Sequence, residues 1–448
     1  MRINFENKSS LHPIIKHVTG HDLLGDIKGI TTDSRKVKDG DIYIALEGIV
    51  NDGHDYLTEV DSLKASAVLI NKHKSAINLK TQKIIVKDTK TTLGDISKEW
   101  RKKFEIPVIG ITGSNGKTST KDLLYHVFKE DYDVHVTRGN YNTSIGLPLT
   151  LLEINNNHDL SIVEMGANQI GDIEYLCSLA NPTHGLITNV SSSHLEGFGD
   201  INNIIKTKSA LFNSLKNGVS FVNYADNRVK NAHKSGQKIT YGLNEICDFP
   251  ADIHHDEYGS IILTIDSHEI HTQSKNLSFA KNIIAVASIA ITFGLKWSRF
   301  QERILSFHPP KGRCEISKYD TITVIDDTYN SNLESCSAAI DYLQAFSGKG
   351  RNIVVLGDML ELGSASEEQH RSLGHKCSSS NVDAVFTLGE NASFIMESVT
   401  GIQNNQHFNI HQDLVNYLKF ELKENDKVLF KGSRGMEMEK IIEGVFGK

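Results

Sequence analysis

The residues best suited to chemistry lie in residues 107–120, where a β-branched run gives way to glycines, a lysine and hydroxyls. Such a change from strand-forming to turn-forming residues is typical of a loop that holds the phosphates of a nucleotide. The candidate loop residues are Gly113, Ser114, Asn115, Gly116, Lys117, Thr118 and Ser119.

Each residue type in this loop has a physical reason to be there. Gly113 and Gly116 allow backbone N–H groups to converge on phosphate oxygens. Lys117 would reach the β and γ phosphates, and the Thr118 hydroxyl would ligate Mg²⁺. Because Ile111 stands where the longer motif has its first glycine, the pattern is the shorter G-x-x-G-K-T. A glycine-rich turn without a ligand is the alternative interpretation.

The elements around the loop must position it. An apolar run at residues 108–111 predicts a buried strand, and helical spacing at 121–129 predicts a helix. Two further predicted strands end in polar residues, Glu164 and His194. Because strand ends of an open α/β sheet face the ligand crevice, Glu164 is a candidate Mg²⁺ ligand and His194 a candidate metal or phosphate contact. The alternatives are a capping or ion-pairing carboxylate for Glu164 and a structural histidine for His194.

Composition excludes several classes of protein. The chain has 448 residues, 39% hydrophobic and 23% charged, and a net charge of −7, which argues against a general nucleic-acid binder. Five scattered cysteines without a C-x-x-C pair indicate reduced thiols rather than a disulfide framework. With no apolar segment long enough to span a membrane, we expect a cytoplasmic protein.

The length suggests about three domains. Strand and helix signals alternate through residues 104–308, which predicts a parallel sheet with crossover helices. Adjacent prolines at 309 and 310 mark a linker, and a third alternating region follows. The predicted domains are therefore 1–103, 104–308 and 309–448.

Weaker signals lie outside the phosphate loop. Ser34 and Arg35 could hold a phosphate, although polar loops are common in any protein. Asn282, near the start of an apolar helix, could contact a base or cap the helix. Arg434, in a glycine-rich segment before the last helix, could form an anion pocket. The helix at 201–215 carries Lys206 and Lys208. Pattern alone does not choose between these two lysines, and a solvated basic face is the alternative.

Motifs along nearly the whole chain resemble those of the Mur ligases of peptidoglycan synthesis. The matching segments are DSRKVKDGD (33–41), TGSNGKTST (112–120), GNYNTSIGLPLTLL (139–152), EMGAN (164–168), HLEGFG (194–199), DDTYNSN (326–332), LGDMLELG (356–363) and KGSRGMEME (431–439). The resemblance implies an α/β protein with a small α/β N-terminal substrate domain, a central P-loop parallel-sheet ATPase-like domain and a C-terminal Rossmann-like, acceptor-binding domain.

The same resemblance implies roles for the catalytic and metal-binding residues. Lys117 and Thr118 would bind the phosphates of ATP and Mg²⁺, and Glu164 would ligate that metal. His194 would help to hold a second Mg²⁺. Lys208 matches the family's carbamylated lysine, in which the carbamate turns a cation into an anion that can bridge to Mg²⁺.

The remaining binding residues divide among the substrates by resemblance. Asn282 would contact adenine, and Arg313 and Asp327 would contact the phosphate and ribose of ATP. Ser34 and Arg35 would hold the uridine diphosphate part of the sugar substrate. The residues expected at the substrate loop and the acceptor are Asn140, Asn142, Tyr329, Asn330 and Arg434.

The motifs DDTYN, LGDMLELG and KGSRGM favour the family member that adds D-Ala-D-Ala to UDP-MurNAc-tripeptide with ATP. We expect a monomer that binds these small molecules and no nucleic acid. The alternatives are a ligase that adds the third amino acid, a folylpolyglutamate synthetase-like ligase, and a nucleotide-binding protein that has lost the chemistry.

Overall fold

The computed structural model describes residues 1–5, 11–48, 50–192, 195–232, 236–346 and 348–447. Three β-sheets of five, nine and six strands follow one another along the chain. The strands are β1 Arg2–Asn4, β2 Gly29–Thr31, β3 Asp41–Ile44, β4 Ala67–Asn71, β5 Gln82–Val86, β6 Val108–Thr112, β7 Val134–Val136, β8 Leu160–Glu164, β9 His184–Ile187, β10 Val219–Asn223, β11 Gln237–Leu243, β12 Phe249–His255, β13 Ile261–Ile265, β14 His268–His271, β15 Glu315–Tyr319, β16 Ile322–Asp327, β17 Asn352–Gly357, β18 Ala384–Leu388, β19 Asn404–Phe408 and β20 Lys427–Lys431.

The α-helices lie between these strands and cover the sheets. They are α1 His12–Thr19, α2 Leu57–Ser62, α3 Thr89–Arg101, α4 Lys117–Phe128, α5 Gly146–Leu151, α6 Asp172–Ala180, α7 Leu195–Phe198, α8 Ile201–Ser214, α9 Asn227–Ala232, α10 Leu277–Thr292, α11 Trp297–Leu305, α12 Leu333–Gln344, α13 Ser366–Ser378, α14 Ser393–Ser398, α15 His411–Glu421 and α16 Glu439–Phe446. Within the described part of the chain, no helix has the length and apolar character needed to cross a bilayer.

The first sheet has the order β1-β2-β3-β4-β5, parallel except for β1. Its core is continuous with the central region, because Leu149 and Leu152 pack among its buried residues. The indole N–H of Trp100 on α3 also donates to the Ile154 carbonyl oxygen at 3.0 Å. Shared apolar packing of this kind fixes the first sheet against the second.

The central sheet has the order β14-β13-β12-β11-β10-β9-β6-β8-β7. Side chains alternate along β6: Ile109 and Ile111 join the core that includes α4 and α10, whereas Val108 joins the core that includes α6 and α8. Because β6 lies between β8 and β9, its carboxyl end faces a topological switch point, where open α/β sheets bind ligands.

The predicted parallel central sheet holds from β7 to β12, but β13 and β14 are antiparallel. The chain turns back at residues 256–260 and again at residues 266–267, and both connections have hairpin length. Asp266 and Ser267, both with positive φ, form the two-residue turn between β13 and β14. The apolar run at residues 261–265 predicts β13 from the sequence, whereas the histidines and acidic residues of β12 and β14 obscure their strand signal.

The third sheet has the order β15-β16-β20-β17-β18-β19, parallel except for β15. Its alternating strand residues divide between two buried cores, one against α12 and α13 and the other against α15 and α16. This arrangement brings the carboxyl end of β16 and the start of α12 towards the phosphate loop, where Asn332 contacts Asn115.

Candidate active site

The loop between β6 and α4 has the strained backbone that its glycines predict. Gly113 has a φ of 148° and Gly116 a φ of 80°, both in the region that favours glycine. A Cβ atom on Gly113 would lie 1.9 Å from the Thr188 hydroxyl oxygen, so no side chain fits there. The loop therefore packs tightly on β9 and leads directly into the N-terminus of α4, a favourable position for an anion.

Two lysine side chains converge beneath this loop. Lys117 Nζ donates to the carbonyl oxygens of Gly113 and Ser114 at 2.8 and 3.2 Å, and Lys208 Nζ donates to the same Gly113 oxygen at 3.1 Å. Burial lowers the pKa of Lys117, against the opposing charge of Glu164. Burial, followed by the charge of Lys117, lowers the pKa of Lys208 well below its ordinary value.

Glu164 lies at the end of β8 with its carboxylate directed at the loop. Its Oε1 accepts from the Asn142 side-chain amide at 2.7 Å and from the Thr118 hydroxyl at 3.2 Å. Its Oε2 is buried and has no hydrogen-bond partner among the described residues. A buried carboxylate oxygen without a partner, next to a threonine hydroxyl, suits the hard oxygen-ligand chemistry of Mg²⁺.

The sequence predicts two further metal ligands besides Thr118 and Glu164, namely His194 and a carbamylated Lys208. In the described ranges no three histidine, cysteine or acidic side chains form a group that could hold a metal ion. His194, which the sequence predicts as a metal contact, lies outside the described residues. The described candidates are therefore Thr118, Glu164 and, if carbamylated, Lys208.

The third region reaches across to the phosphate loop through two side chains. Arg313 Nη2 donates to the Thr118 hydroxyl at 3.0 Å, and its guanidinium lies 3.8 Å from the centre of the Tyr329 ring. Asn332 Nδ2 donates to Asn115 Oδ1 at 2.7 Å. Residues from two regions of the chain thus meet at the loop between β6 and α4.

A buried ion pair supports this edge of the third sheet. Lys431 Nζ pairs with the Asp327 carboxylate and donates to the Asn330 carbonyl oxygen at 2.9 Å. Burial is the largest single effect and would lower the pKa of Lys431. The charges of Asp327, Cys336 and Cys314, with the hydrogen bond to Asp327, together outweigh burial, so the pKa of Lys431 is raised. The pair fixes the segment that carries Tyr329.

A cleft of about 1720 Å³ joins these groups, and its walls come from both regions. Gly113 and Lys208, which bond to each other, do not line the cleft. The predicted site residues that line it are Ser114, Asn115, Gly116, Lys117, Thr118, Ser119, Asn142, Glu164, Asn282, Arg313, Asp327, Tyr329 and Asn330.

Four predicted substrate residues lie elsewhere. Ser34 is buried in a short turn of the first domain, and the exposed Arg35 pairs with Asp33 at 2.9 Å. Asn140 is exposed on the loop before α5. Arg434 is exposed and pairs with Glu439 at 2.8 Å. None of these four lines the cleft, and their roles stay predictions.

Sequence reasoning missed two residues at the loop. Asn189 Oδ1 accepts from the Asn115 N–H at 3.0 Å, and Asn189 Nδ2 donates to the Asn115 carbonyl oxygen at 3.0 Å. The second is Asn332, described above. A polar residue just beyond β9 was a usable signal for Asn189, by the same strand-end argument that identified Glu164. Nothing local in the sequence indicates the contact of Asn332.

Comparison with known proteins agrees with this geometry. The sequence matches the Mur ligase family, catalytic domain, at residues 26–101, the Mur ligase middle domain at 111–290, and the Mur ligase, glutamate ligase domain, at 312–434. It is 33% identical to the UDP-N-acetylmuramoyl-tripeptide–D-alanyl-D-alanine ligase of Haemophilus influenzae over 442 residues, or 94% of each chain.

Solved structures with the same three-domain fold are also similar. A crystal structure of MurF from Acinetobacter baumannii matches with a TM-score of 0.89 and 26% identity, covering 100% of this chain and 99% of that one. MurF ligase from Thermotoga maritima, in complex with ADP, matches with a TM-score of 0.83 and 29% identity, covering 93% and 96%. The chain therefore belongs to the Mur ligase family and, within it, to the MurF ligases.

Proposed function

We propose that this protein is an ATP-dependent, ADP-forming ligase that joins D-Ala-D-Ala to UDP-MurNAc-tripeptide through an acyl phosphate, acting as a monomer in the cytoplasm. The observation that carries the proposal is the convergence of Lys117, Thr118 and Glu164 with Arg313 at one loop. A phosphate-binding loop alone fits many nucleotide-binding proteins, whereas the added carboxylate and second lysine suit phosphoryl transfer to an acid. The name of the Haemophilus influenzae relative supports the identity of the substrates.

In the first step, a carboxylate oxygen of the tripeptide attacks the γ-phosphorus of ATP, and the bond from that phosphorus to the bridging oxygen breaks to release ADP. Both reactants are anions, so positioning and charge compensation dominate the barrier. Lys117 and Arg313 supply positive charge, and loop N–H groups bind the phosphates. The Lys117 ammonium would leave its carbonyl partners and turn towards the phosphates.

The Mg²⁺ expected with ATP fits the residues around the orphaned Glu164 oxygen. Glu164 and Thr118 would hold this ion, and its positive charge would offset the negative charge of the phosphates. His194 and a carbamylated Lys208 would hold a second Mg²⁺ ion. Asn142 orients the Glu164 carboxylate, and Thr118 bonds to that same group.

The burial of Lys208 supports the proposal that this lysine is carbamylated. Burial, reinforced by Lys117, lowers its pKa, so more of its amine is unprotonated, the form that reacts with carbon dioxide. The carbamate would replace a buried positive charge beside Lys117 with a negative one. That exchange turns a repulsion between two lysines into an attraction.

In the second step, the amine of D-Ala-D-Ala attacks the acyl carbon, the carbon–oxygen bond to phosphate breaks, and the nitrogen loses a proton as the amide forms. Phosphate is a far better leaving group than oxide, which is why the acid is phosphorylated first. We assign Tyr329, Asn330 and Arg434 to the acceptor, and Asn140 and Asn142 to the substrate loop. For the donor and nucleotide, we assign Ser34 and Arg35 to the uridine diphosphate and Asn282, Arg313 and Asp327 to ATP.

The decisive experiment measures ADP release and product mass with ATP, Mg²⁺ and UDP-MurNAc-tripeptide. We expect an amide product with D-Ala-D-Ala and little with single amino acids. Lys117→Ala should lower turnover about 10²- to 10³-fold, as the loss of other charge stabilisers does. Equal or faster turnover with a single amino acid would favour a third-residue ligase, and ATP binding without amide formation would favour a non-catalytic nucleotide-binding protein.

A further inference from the structure

Helix α4 carries a second buried lysine that the proposed mechanism does not use. Lys121 is 2% exposed, and its Nζ donates to the Thr137 carbonyl oxygen at 2.9 Å and pairs with Asp122 at 3.0 Å. It does not line the cleft. A buried ammonium is costly unless its partners compensate it, so its position calls for an explanation.

The partner of Lys121 is itself bonded to the proposed metal ligand. Thr137 follows β7, which is the edge strand of the central sheet. The Thr137 hydroxyl oxygen accepts from the Glu164 N–H at 3.0 Å, and Thr137 and Glu164 are both about 1% exposed. The same residue thus bonds to Lys121 through its carbonyl and to Glu164 through its hydroxyl.

Helix α4 therefore contacts Glu164 by two routes. Thr118 bonds directly to the carboxylate, at 3.2 Å. Lys121, one turn later on the same face, reaches the Glu164 backbone through Thr137. Because the phosphate loop leads into this helix, a fixed distance between α4 and the end of β8 also fixes Glu164 relative to the phosphates.

We propose that Lys121 is a positioning residue for the reaction, which holds the Glu164 carboxylate in place through Thr137. The proposal rests on the proposed function, because that function makes Glu164 the ligand of a metal ion bound with ATP. Residues that orient metal ligands typically change metal affinity 10- to 100-fold when they are removed. Lys121 and Thr137 act as one unit in this proposal, so their effects should not add.

The test is a titration of the full chain with Mn²⁺ in the presence of ADP, with free Mn²⁺ measured by electron paramagnetic resonance. Lys121→Met and Thr137→Val should each raise the half-saturating Mn²⁺ concentration about 10-fold. The double variant should raise it no further than the larger single effect. If Lys121→Met does not fold, Lys121→Arg replaces it: arginine keeps the positive charge but changes the donor that reaches the Thr137 carbonyl oxygen, so it should raise the half-saturating Mn²⁺ concentration as well.

Two matched controls separate positioning from general stability. Lys427→Met removes another buried lysine that bonds to a backbone carbonyl, and Thr240→Val removes another buried strand hydroxyl; neither residue lines the cleft. Both controls should leave the Mn²⁺ titration unchanged. Lower melting temperatures with an unchanged titration in Lys121→Met and Thr137→Val would overturn the proposal, as would additive effects in the double variant.

The same protein samples distinguish this proposal from the proposed function. Failure of the wild-type enzyme to form an amide with D-Ala-D-Ala would refute the proposed reaction. The Mn²⁺ titration with ADP would still decide the role of Lys121, because it requires neither the sugar substrate nor the acceptor. Wild-type protein that binds ADP with no dependence on Mn²⁺ would overturn the Lys121 proposal.

Discussion

The side-chain amide of Asn142 donates to Oε1 of Glu164 across 2.7 Å, and this contact leaves Oε2 of the carboxylate as the oxygen without a described partner. The sequence suggested Asn142 as a substrate contact on a loop over the site. From this hydrogen bond we propose a second role, in which Asn142 orients the carboxylate so that Oε2 remains available for a metal ion.

Replacing Asn142 should weaken metal binding more than it weakens folding. We expect Asn142→Ala to raise the Mg²⁺ concentration for half-maximal ADP release about 10-fold, because Glu164 loses a donor. Asn142→Asp should do more harm, since it places a second negative charge against the carboxylate. Magnesium titrations of the steady-state rate measure both effects. The exposed Asn157→Ala is the control, and an unchanged Mg²⁺ dependence in Asn142→Ala would refute the orienting role.

The phosphate loop and its flanking elements could be predicted because their signals are local. The strand, the two glycines and the lysine lie within a few residues of each other, and backbone sterics at Gly113 and Gly116 demand glycine whatever surrounds them. Glu164 could be predicted from one further rule, that ligands bind at the carboxyl ends of parallel strands.

The contacts between distant regions could not be predicted in this way. Asn332 and Asn115 are 217 residues apart in sequence, and their hydrogen bond depends on how two folded regions dock. The contact between Lys121 and Thr137 depends on packing between a helix and an edge strand, although the two residues are close in sequence. Periodicity identifies which faces are buried, but it carries no information about which polar atoms meet there.

Arg313 joins the third region to the phosphate loop, and its shape matters as well as its charge. Arg313→Ala should lower kcat/KM about 10²-fold, because a cation near the phosphates and a donor to Thr118 are both lost. Arg313→Lys should restore only part of the lost kcat/KM, since an ammonium group has no planar face to stack on the Tyr329 ring. Steady-state kinetics with saturating acceptor measure the series.

The control for this series is Arg299→Ala. Arg299 pairs with Asp131 at a solvent-exposed position, where an ion pair contributes about 0 to 1 kcal/mol to stability. Its removal should leave kcat/KM near the wild-type value. Full activity in Arg313→Lys would show that charge alone suffices and that the stacking on Tyr329 has no catalytic consequence.

A buried histidine should make the central region sensitive to acid. His135 on β7 lies between the Ser161 hydroxyl and the Thr150 carbonyl oxygen, and burial lowers its pKa from 6.5 to about 3. Between about pH 3 and pH 6.5, His135 is protonated in the unfolded chain but neutral in the folded chain. The free energy of unfolding therefore falls as the pH falls from 6.5 towards 3, with a slope approaching about 1.4 kcal/mol per pH unit.

His135→Gln should flatten this dependence, although it also costs stability at neutral pH because the imidazole contacts are lost. Urea midpoints between pH 4.5 and 7.5, followed by tryptophan fluorescence, measure the slope. His255→Gln removes an exposed histidine from the same sheet as the control. A variant with the wild-type slope would exclude His135 as the source of the acid sensitivity.

Asn332 has two separable roles, in the third region itself and in docking. Its Oδ1 accepts from the Ser335 N–H and caps α12, while its Nδ2 donates to Asn115. Asn332→Asp keeps the cap, since aspartate is as good an N-cap as asparagine. It also replaces the donor with an oxygen that repels Asn115 Oδ1, because the Asn115 amide nitrogen already donates to Ser191.

We therefore expect Asn332→Asp to keep the wild-type melting temperature but to show a larger radius of gyration without ligands in small-angle scattering, because the docking contact opens. Saturating nucleotide and substrates should restore the compact form, since ligands that bind both regions favour closure. Asp88→Asn makes the reverse exchange at the N-cap of α3 and should leave the radius unchanged. If the wild-type protein and Asn332→Asp have the same radius of gyration, with and without ligands, the Asn332–Asn115 hydrogen bond does not control how the third region docks.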